Sequence, residues 1–453
     1  MATKKSRRAS SKAARTNGSS DGAQVSTNPD ELLLAAIESG RDPETTGRFL
    51  VTFKEGAGDA GLEHLESFHG MRTANARDFK GSAIALEETG DAEAVVFPEI
   101  GVALVGSEAA ATRGMSAEAM IEEDSPVQSI DPEYFMFATA LNTADYMRGV
   151  LRMAQMIAAD LGVGTATEVT EEFEVGPEVL GATPGLIASR VPLSTRDGSG
   201  IRVAVLDTGF DIGHPEFAGR NPTTQTFVGQ PVQDLHGHGT HTAGTACGPK
   251  APPGPIPRYG IAFRSQMFIG KVLTNSGSGT QAQVLAGMNW AVANRCAVIS
   301  MSLGAPIPVQ PSYTAAGAAA LANGCLIIAA AGNESQRPSV IKPTGAPANS
   351  PTIMSVAALD ATLRPAFFSN GGKVDISAIG MNVFSSWPRP VLHKTISGTS
   401  MATPHVAGCA ALWAQTSPGL RGAALRAKLI ATARHLPSPP SDVGAGLVQA
   451  PPF

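Results

Sequence analysis

The chain has 453 residues, 43% of them hydrophobic and 16% charged, with a formal net charge of −5. That length allows two or three domains and the apolar share fills a large core, while the mildly negative net balance gives no hint of nucleic-acid binding, a tether at the basic start being the lesser reading. No apolar run reaches a membrane-spanning length.

Residues 1–46 read as a basic disordered tail: Lys4, Lys5, Arg7, Arg8, Lys12 and Arg15 interleave with Ser, Ala and Gly, and one short helix is expected over 30–38. The basic start runs into Ser, Asn, Gly and Asp instead of an apolar segment, so no cleavable secretory signal is read. Cys247, Cys296, Cys325 and Cys409 do not form a disulfide framework; three lie in or beside apolar segments, where cysteine behaves as a small hydrophobe. Cytoplasmic synthesis with reduced thiols is the expectation, with export that bypasses a cleaved signal as the alternative.

Residues 47–137 read as a small α+β module. Phe49–Phe53 alternates as a strand, and Leu62, Leu65 and Phe68 share one face of a helix. Gly101–Val105 is a strand, Ser116–Ala119 opens a second helix, and Val127–Tyr134 closes the module as an extended segment. Strand, helix, two strands, helix, strand is the split βαβ pattern of ferredoxin-like domains. Residues 138–182 read as a linker, with a helix over 144–161 and acids crowding 168–178.

From 183 to 453, strands expected at 201–206, 267–272, 297–302 and 325–330 alternate with helices near 238–247, 280–294 and 313–323, and a further helix runs from 400 to about 415. Such alternation predicts an α/β domain with a parallel sheet and helices on both faces. Three segments carry chemistry. Ile201–Leu206 is a mostly apolar strand ending in Asp207, where open α/β sheets place their sites; Asp207 could equally cap the turn. His236-Gly237-His238-Gly239-Thr240-His241 begins a tightly packed helix with an exposed imidazole, or forms a surface histidine cluster. Ser397-Gly398-Thr399-Ser400 puts a hydroxyl at a helix start, as an N-cap or as a nucleophile whose reaction builds negative charge near the positive helix end. Pro404 is read as lying in the first helical turn, where its missing N–H does no harm.

Together, Asp207-Thr208-Gly209, His238-Gly239-Thr240-His241-Thr242-Ala243-Gly244 and Gly398-Thr399-Ser400-Met401-Ala402-Thr403-Pro404-His405 resemble, in that order, the motifs of the subtilisin-like serine proteases, the subtilases. The resemblance implies catalytic Asp207, His238 and Ser400. It makes Asn333, after the apolar run Leu326–Ala331, the side-chain donor of an oxyanion hole, with the Ser400 amide as second donor. It makes Ser302, Leu303 and Gly304 the edge that pairs with extended substrate, with Ala330 and Gly332 beside the pocket for the P1 side chain. The pocket floor would come from Ser339–Pro343; no acidic cluster selects dibasic sites, so a neutral or hydrophobic P1 is expected. The implied partners are protein or peptide substrates, with neither nucleic acid nor membrane.

The same resemblance extends to residues 47–137, similar to the propeptide-type inhibitor domain that precedes many subtilase catalytic domains, Ile130–Tyr134 being the most family-like part. It implies a self-inhibited zymogen with a processing site in 138–182, although that linker is longer than usual. Thr183–Leu186 resembles a mature start, with Pro184 in place of the usual tryptophan. Catalysis needs no cofactor and no metal. Structural calcium is left open: Glu216 stands where the family often has a calcium-binding acid, but residues 248–255 lack the run of Asn and Asp oxygens that six to eight ligands would need. Two other readings compete: a metal-dependent hydrolase using His236, His238 and His241, and a non-catalytic binding protein on a protease fold.

Overall fold

The computed structural model describes residues 28–38, 40, 42–112, 124–138 and 181–452. The helices expected at 116–119 and 144–161 lie outside the described residues. The N-terminal part comprises α1 (Pro29–Glu38), β1 (Thr45–Phe53), α2 (Gly58–Glu63), β2 (Thr73–Asn75), β3 (Ala94–Phe97), β4 (Val102–Val105), α3 (Ser107–Thr112) and β5 (Val127–Ala138). The sheet order is β5-β1-β4-β3-β2, with β1 antiparallel to both β5 and β4. This is the split βαβ arrangement with β2 added at the edge.

Pleating sends alternate residues of this sheet to different cores. Val51, Phe53, Val96 and Val105 face the module's own helices. Leu50, Val95, Phe97, Val102 and Leu104 enter a core shared with the second half of the chain. At about 1.5–3 kcal/mol per buried large apolar side chain, these residues alone make the contact between the halves substantial. Two expectations need correction. Helix α1 is no part of a solvated tail, because Leu32 and Leu33 are buried against Phe135. And Phe68 does not share the buried face of Leu65: a π-turn over His64–Phe68 inserts an extra residue per turn, leaving Phe68 73% exposed and stacked on His64.

The second half contributes β6 (Arg202–Asp207), β7 (Thr223–Thr226), α4 (His238–Cys247), β8 (Gln266–Lys271), β9 (Ser278–Thr280), α5 (Gln281–Ala293), β10 (Val298–Met301), β11 (Leu303–Gly304), α6 (Pro311–Ala322), β12 (Leu326–Ala330), β13 (Met354–Leu359), β14 (Ile376–Ile379), the hairpin β15 (Val383–Ser386) and β16 (His393–Ile396), α7 (Thr399–Thr416) and α8 (Gly422–Thr432). Seven of these strands form a parallel sheet in the order β14-β13-β12-β10-β6-β8-β7. Chain order reverses at β6: β8 and β7 lie to one side, β10 to the other. A cleft therefore opens beyond the carboxyl end of β6, at the topological switch point. Helices α5 and α6 cover one face and α4 and α7 the other.

Sequence explains the helix ends. α5 starts with a capping box, Thr280 and Gln283 satisfying each other's backbone amides. In α7, rich in Ala and buried from Thr399 to Ala414, Pro404 is the sixth residue, past the first turn. The amide it lacks would have bonded the Ser400 carbonyl; the Ser302 hydroxyl donates to that carbonyl instead, at 2.7 Å. The four cysteines are buried and free.

Candidate active site

Asp207 is the last residue of β6 and His238 the first of α4. Two glycines bring them together. Gly237 has φ of 101°, and a Cβ there would strike the Trp387 ring. A Cβ on Gly239 would stand 2.3 Å from the Gly209 carbonyl, so the helix start can be drawn against the turn after Asp207 only without one. This close approach buries the imidazole that the sequence suggested was exposed.

Asp207 Oδ1 lies 2.7 Å from His238 Nδ1. The carboxylate also accepts the Thr208 amide at 2.7 Å and the Thr242 hydroxyl at 3.1 Å. Holding Nδ1–H in this way leaves Nε2 as the ring's acceptor, and Nε2 is buried with no hydrogen-bond partner among the described residues. Burial disfavours the imidazolium, but the charge and hydrogen bond of Asp207, with the charge of Asp234, outweigh it, so the His238 pKa is raised.

Ser400 is the second residue of α7 and is fully buried. Its Oγ donates to the Ser302 carbonyl at 3.1 Å, while its own carbonyl accepts the Ser302 hydroxyl. Asn333 lies just past β12. Its Oδ1 accepts both the amide and the hydroxyl of Thr399, at 2.8 and 2.9 Å. With the oxygen end tied to Thr399, the Nδ2 end points away from it. Gly332 donates to the Thr399 hydroxyl at 3.2 Å, and Ala330 ends β12. Leu303 and Gly304 form the two-residue β11, antiparallel to the end of β5. On the loop expected as pocket floor, Lys342 is exposed; its backbone amide donates to the Ser335 hydroxyl and its carbonyl accepts the Gly371 amide.

Two residues escaped sequence reasoning. Thr399 positions Asn333. Asp234, fully buried, accepts five donors: the amides of His236, Gly237 and Thr240 and the hydroxyls of Thr240 and Thr208. It thereby knots the start of α4 to the residue after Asp207. An acid four residues before the start of a histidine-rich helix was the available signal. Lys271 is a third buried charge here; burial pulls its pKa down to about 8 against the pull of Asp234 and Asp207, and its Nζ donates to the Thr208 carbonyl.

The other two histidines of the cluster do not converge with His238 on a common point. His241 Nε2 turns to the Val383 and Lys394 carbonyls at 3.0 and 3.1 Å, and burial lowers its pKa to about 3. Among the described residues no three His, Cys, Asp or Glu side chains are grouped to hold a metal. Glu216, considered for calcium, accepts from His393 Nε2 at 2.9 Å and from the Tyr259 hydroxyl, so its oxygens are committed to protein partners.

The profile of the Subtilase family matches residues 198–446, more than half of the sequence. The chain belongs to the subtilase family. Subtilisin from Bacillus pumilus is 38% identical over 245 residues, 53% of this chain and 86% of that protein. Subtilisin Savinase from Lederbergia lenta is 40% identical over 256 residues, 56% of this chain and 90% of that protein. Among solved structures, a cold-adapted subtilisin-like serine proteinase aligns with a TM-score of 0.51 and 32% identity, over 60% of this chain and all of that one. This subtilase is therefore a subtilisin-like serine endopeptidase, a hydrolase on an α/β subtilisin fold. The match begins past residue 197, so the N-terminal module lies outside it.

Proposed function

We propose that Asp207, His238 and Ser400 act as the catalytic triad of this endopeptidase and that the chain is made as a self-inhibited zymogen. In this reading the Ser400 hydroxyl turns from the Ser302 carbonyl to His238 Nε2 as substrate enters. A serine hydroxyl is a weak nucleophile at neutral pH and needs that base. His238 takes the Ser400 proton as Oγ attacks the scissile carbonyl, then gives it to the leaving amine. Asp207 keeps the imidazole in one tautomer and stabilises its cation without itself being protonated. Asn333 Nδ2 and the Ser400 amide receive the developing oxyanion. An acyl-enzyme forms on Ser400, and water, activated by His238, releases it. No cofactor takes part. Ser302, Leu303 and Gly304 would pair with substrate backbone, with Ala330 and Gly332 beside P1.

The observation that carries the zymogen reading is the pairing of β5. Its last residues lie between β9 and β11, antiparallel to both: Phe135–Phe137 against Ser278–Thr280, and Phe137 and Ala138 against Gly304 and Leu303. Extended substrate adds to a cleft edge in the same manner. Residues 47–137 would thus be a propeptide-type inhibitor. Leu303, opposite Ala138, adjoins Ser302, which is hydrogen-bonded to Ser400; Ala138 thus ends near the proposed nucleophile, and the cut is proposed within 138–182.

Intact mass followed over time, wild type beside Ser400→Ala, tests both claims. The expected result is a wild-type fragment beginning within that window while Ser400→Ala stays whole. Wild type that stays whole yet cleaves casein would remove the zymogen half; folded protein freed of residues 1–180 that fails to label with a fluorophosphonate would remove the triad.

A further inference from the structure

We infer that α1 is a latch that holds β5 in the cleft, separate from the inhibitory sheet itself; the inference rests on the self-inhibited reading above. Two contacts of different chemistry carry it. On the polar side, Asp30 Oδ1 accepts the hydroxyls of Thr274, Ser276 and Ser278 at 3.2, 2.8 and 2.5 Å. These residues form the turn into β9, and Gly277 in the same turn accepts the amide of Ala138, the last residue of β5, at 2.8 Å. One carboxylate thus braces the cleft edge at the point where β5 is tied to it, through hydrogen bonds strengthened by charge.

On the apolar side, Leu32 and Leu33 bury against Phe135, with Phe137 packed alongside. Side chains alternate along a strand. Met136 points the other way, into the core that holds Leu303 and Leu273. The end of β5 is therefore gripped on both faces, by the catalytic domain through Met136 and by α1 through the two phenylalanines. The module's sheet does neither job there: Tyr134, opposite Thr45, is the last residue of β5 paired with β1, and past it, among the described residues, only the Phe135 amide reaches back, to the Glu44 carbonyl. Helix α1 is joined to β1 by a short connection, which keeps it at high effective concentration over its seat. Release of β5 then has two separable steps, lifting of α1 and withdrawal of the strand. Cutting between α1 and β1, or displacing α1, becomes a control point upstream of processing.

The test uses the full chain. In the Ser400→Ala background, amide exchange is measured at Met136–Ala138 for Asp30→Ala and for Leu33→Ala. In the active background, the lag before casein hydrolysis is timed for the same variants. Met136→Asp, which puts a charge into the shared core and expels the strand directly, serves as the comparison. The latch predicts exchange faster by about 10–100-fold, the factor for losing hydrogen bonds to a charged group, and a shorter lag, with β1 and β10 amides unchanged. If Met136→Asp shortens the lag and both α1 variants leave lag and exchange as in wild type, the latch is overturned and self-inhibition stands. If Met136→Asp also leaves the lag unchanged, self-inhibition fails and the latch falls with it.

Discussion

The two sheets of this chain put their useful atoms in opposite places. In the parallel sheet the strands are mostly buried runs, and the proposed chemistry lies at or just past their carboxyl ends: Asp207 as the last residue of β6, Asn333 after β12. Strand edges there bind strands, nothing more. In the antiparallel sheet of the module no strand end carries chemistry, and the informative feature is an edge strand that overruns. β5 continues four residues past its last partner on β1, and those four pair with the cleft. A parallel sheet gathers side chains at one end; an antiparallel edge offers backbone. An enzyme and its proposed inhibitor divide along that line.

The sharpest way to break this division is Ser400→Ala. If chemistry resides only at the parallel sheet, casein hydrolysis falls by about a millionfold in kcat, the loss known for the corresponding serine of subtilisin, while the melting behaviour of both sheets is kept. Residual hydrolysis well above that level would locate a nucleophile elsewhere.

Next in size is Glu133→Ala, which tests whether the two sheets are joined by more than apolar area. Glu133 and Arg48 form a fully buried bidentate pair, at 2.6 and 3.1 Å. Glu133 also accepts the Thr46 hydroxyl and, across the boundary, the Ala282 amide at the start of α5. Removing it leaves a buried guanidinium without its carboxylate, at a cost of about 3–5 kcal/mol. In the Ser400→Ala background, denaturant unfolding should separate into an early module transition and an unchanged later one; a single unshifted transition would contradict the bridge.

Asn333→Ala comes third, with a fall of about 100–1000-fold in kcat and little change in KM, the size established for the oxyanion donor of subtilisin. A rise in KM at constant kcat would instead make Asn333 a ground-state contact.

Much of the parallel half was legible because its signals are local. The serine, histidine and aspartate frames each span fewer than ten residues, and β6, β8, β10 and β12 follow apolar runs to within a residue or so. What escaped depends on partners far along the chain. The Ser302 hydroxyl compensates for Pro404 from 98 residues away, in bond separation to Ser400; Thr399 orients Asn333 across 66 residues. The phase slip that exposes Phe68 comes from a π-turn that periodicity cannot foresee. Nor does composition distinguish a basic tail from a helix docked through Leu32 and Leu33, since two leucines stop being surface only once Phe135 is placed against them.

Asp234 tests the smallest step of the comparison, whether side chains gathered at the sheet end include one that never touches substrate. Asp234→Asn keeps the shape but removes the charge, and its amide nitrogen cannot accept from the donors that the second oxygen held. A displaced α4 start predicts a fall of about 10–100-fold in kcat, the usual cost of small misplacement. The pH profile separates positioning from mere loss of structure. In the proposed triad His238 must be neutral to take the Ser400 proton, so activity should rise through its pKa, which stands above the ordinary 6.5 in part because of the Asp234 charge. Without that charge the pKa drops and the acidic limb of kcat/KM moves to lower pH. A variant that lost activity equally at every pH, with the limb unmoved, would show that Asp234 only builds the turn; a limb displaced downward makes it part of how the site sets the basicity of its histidine.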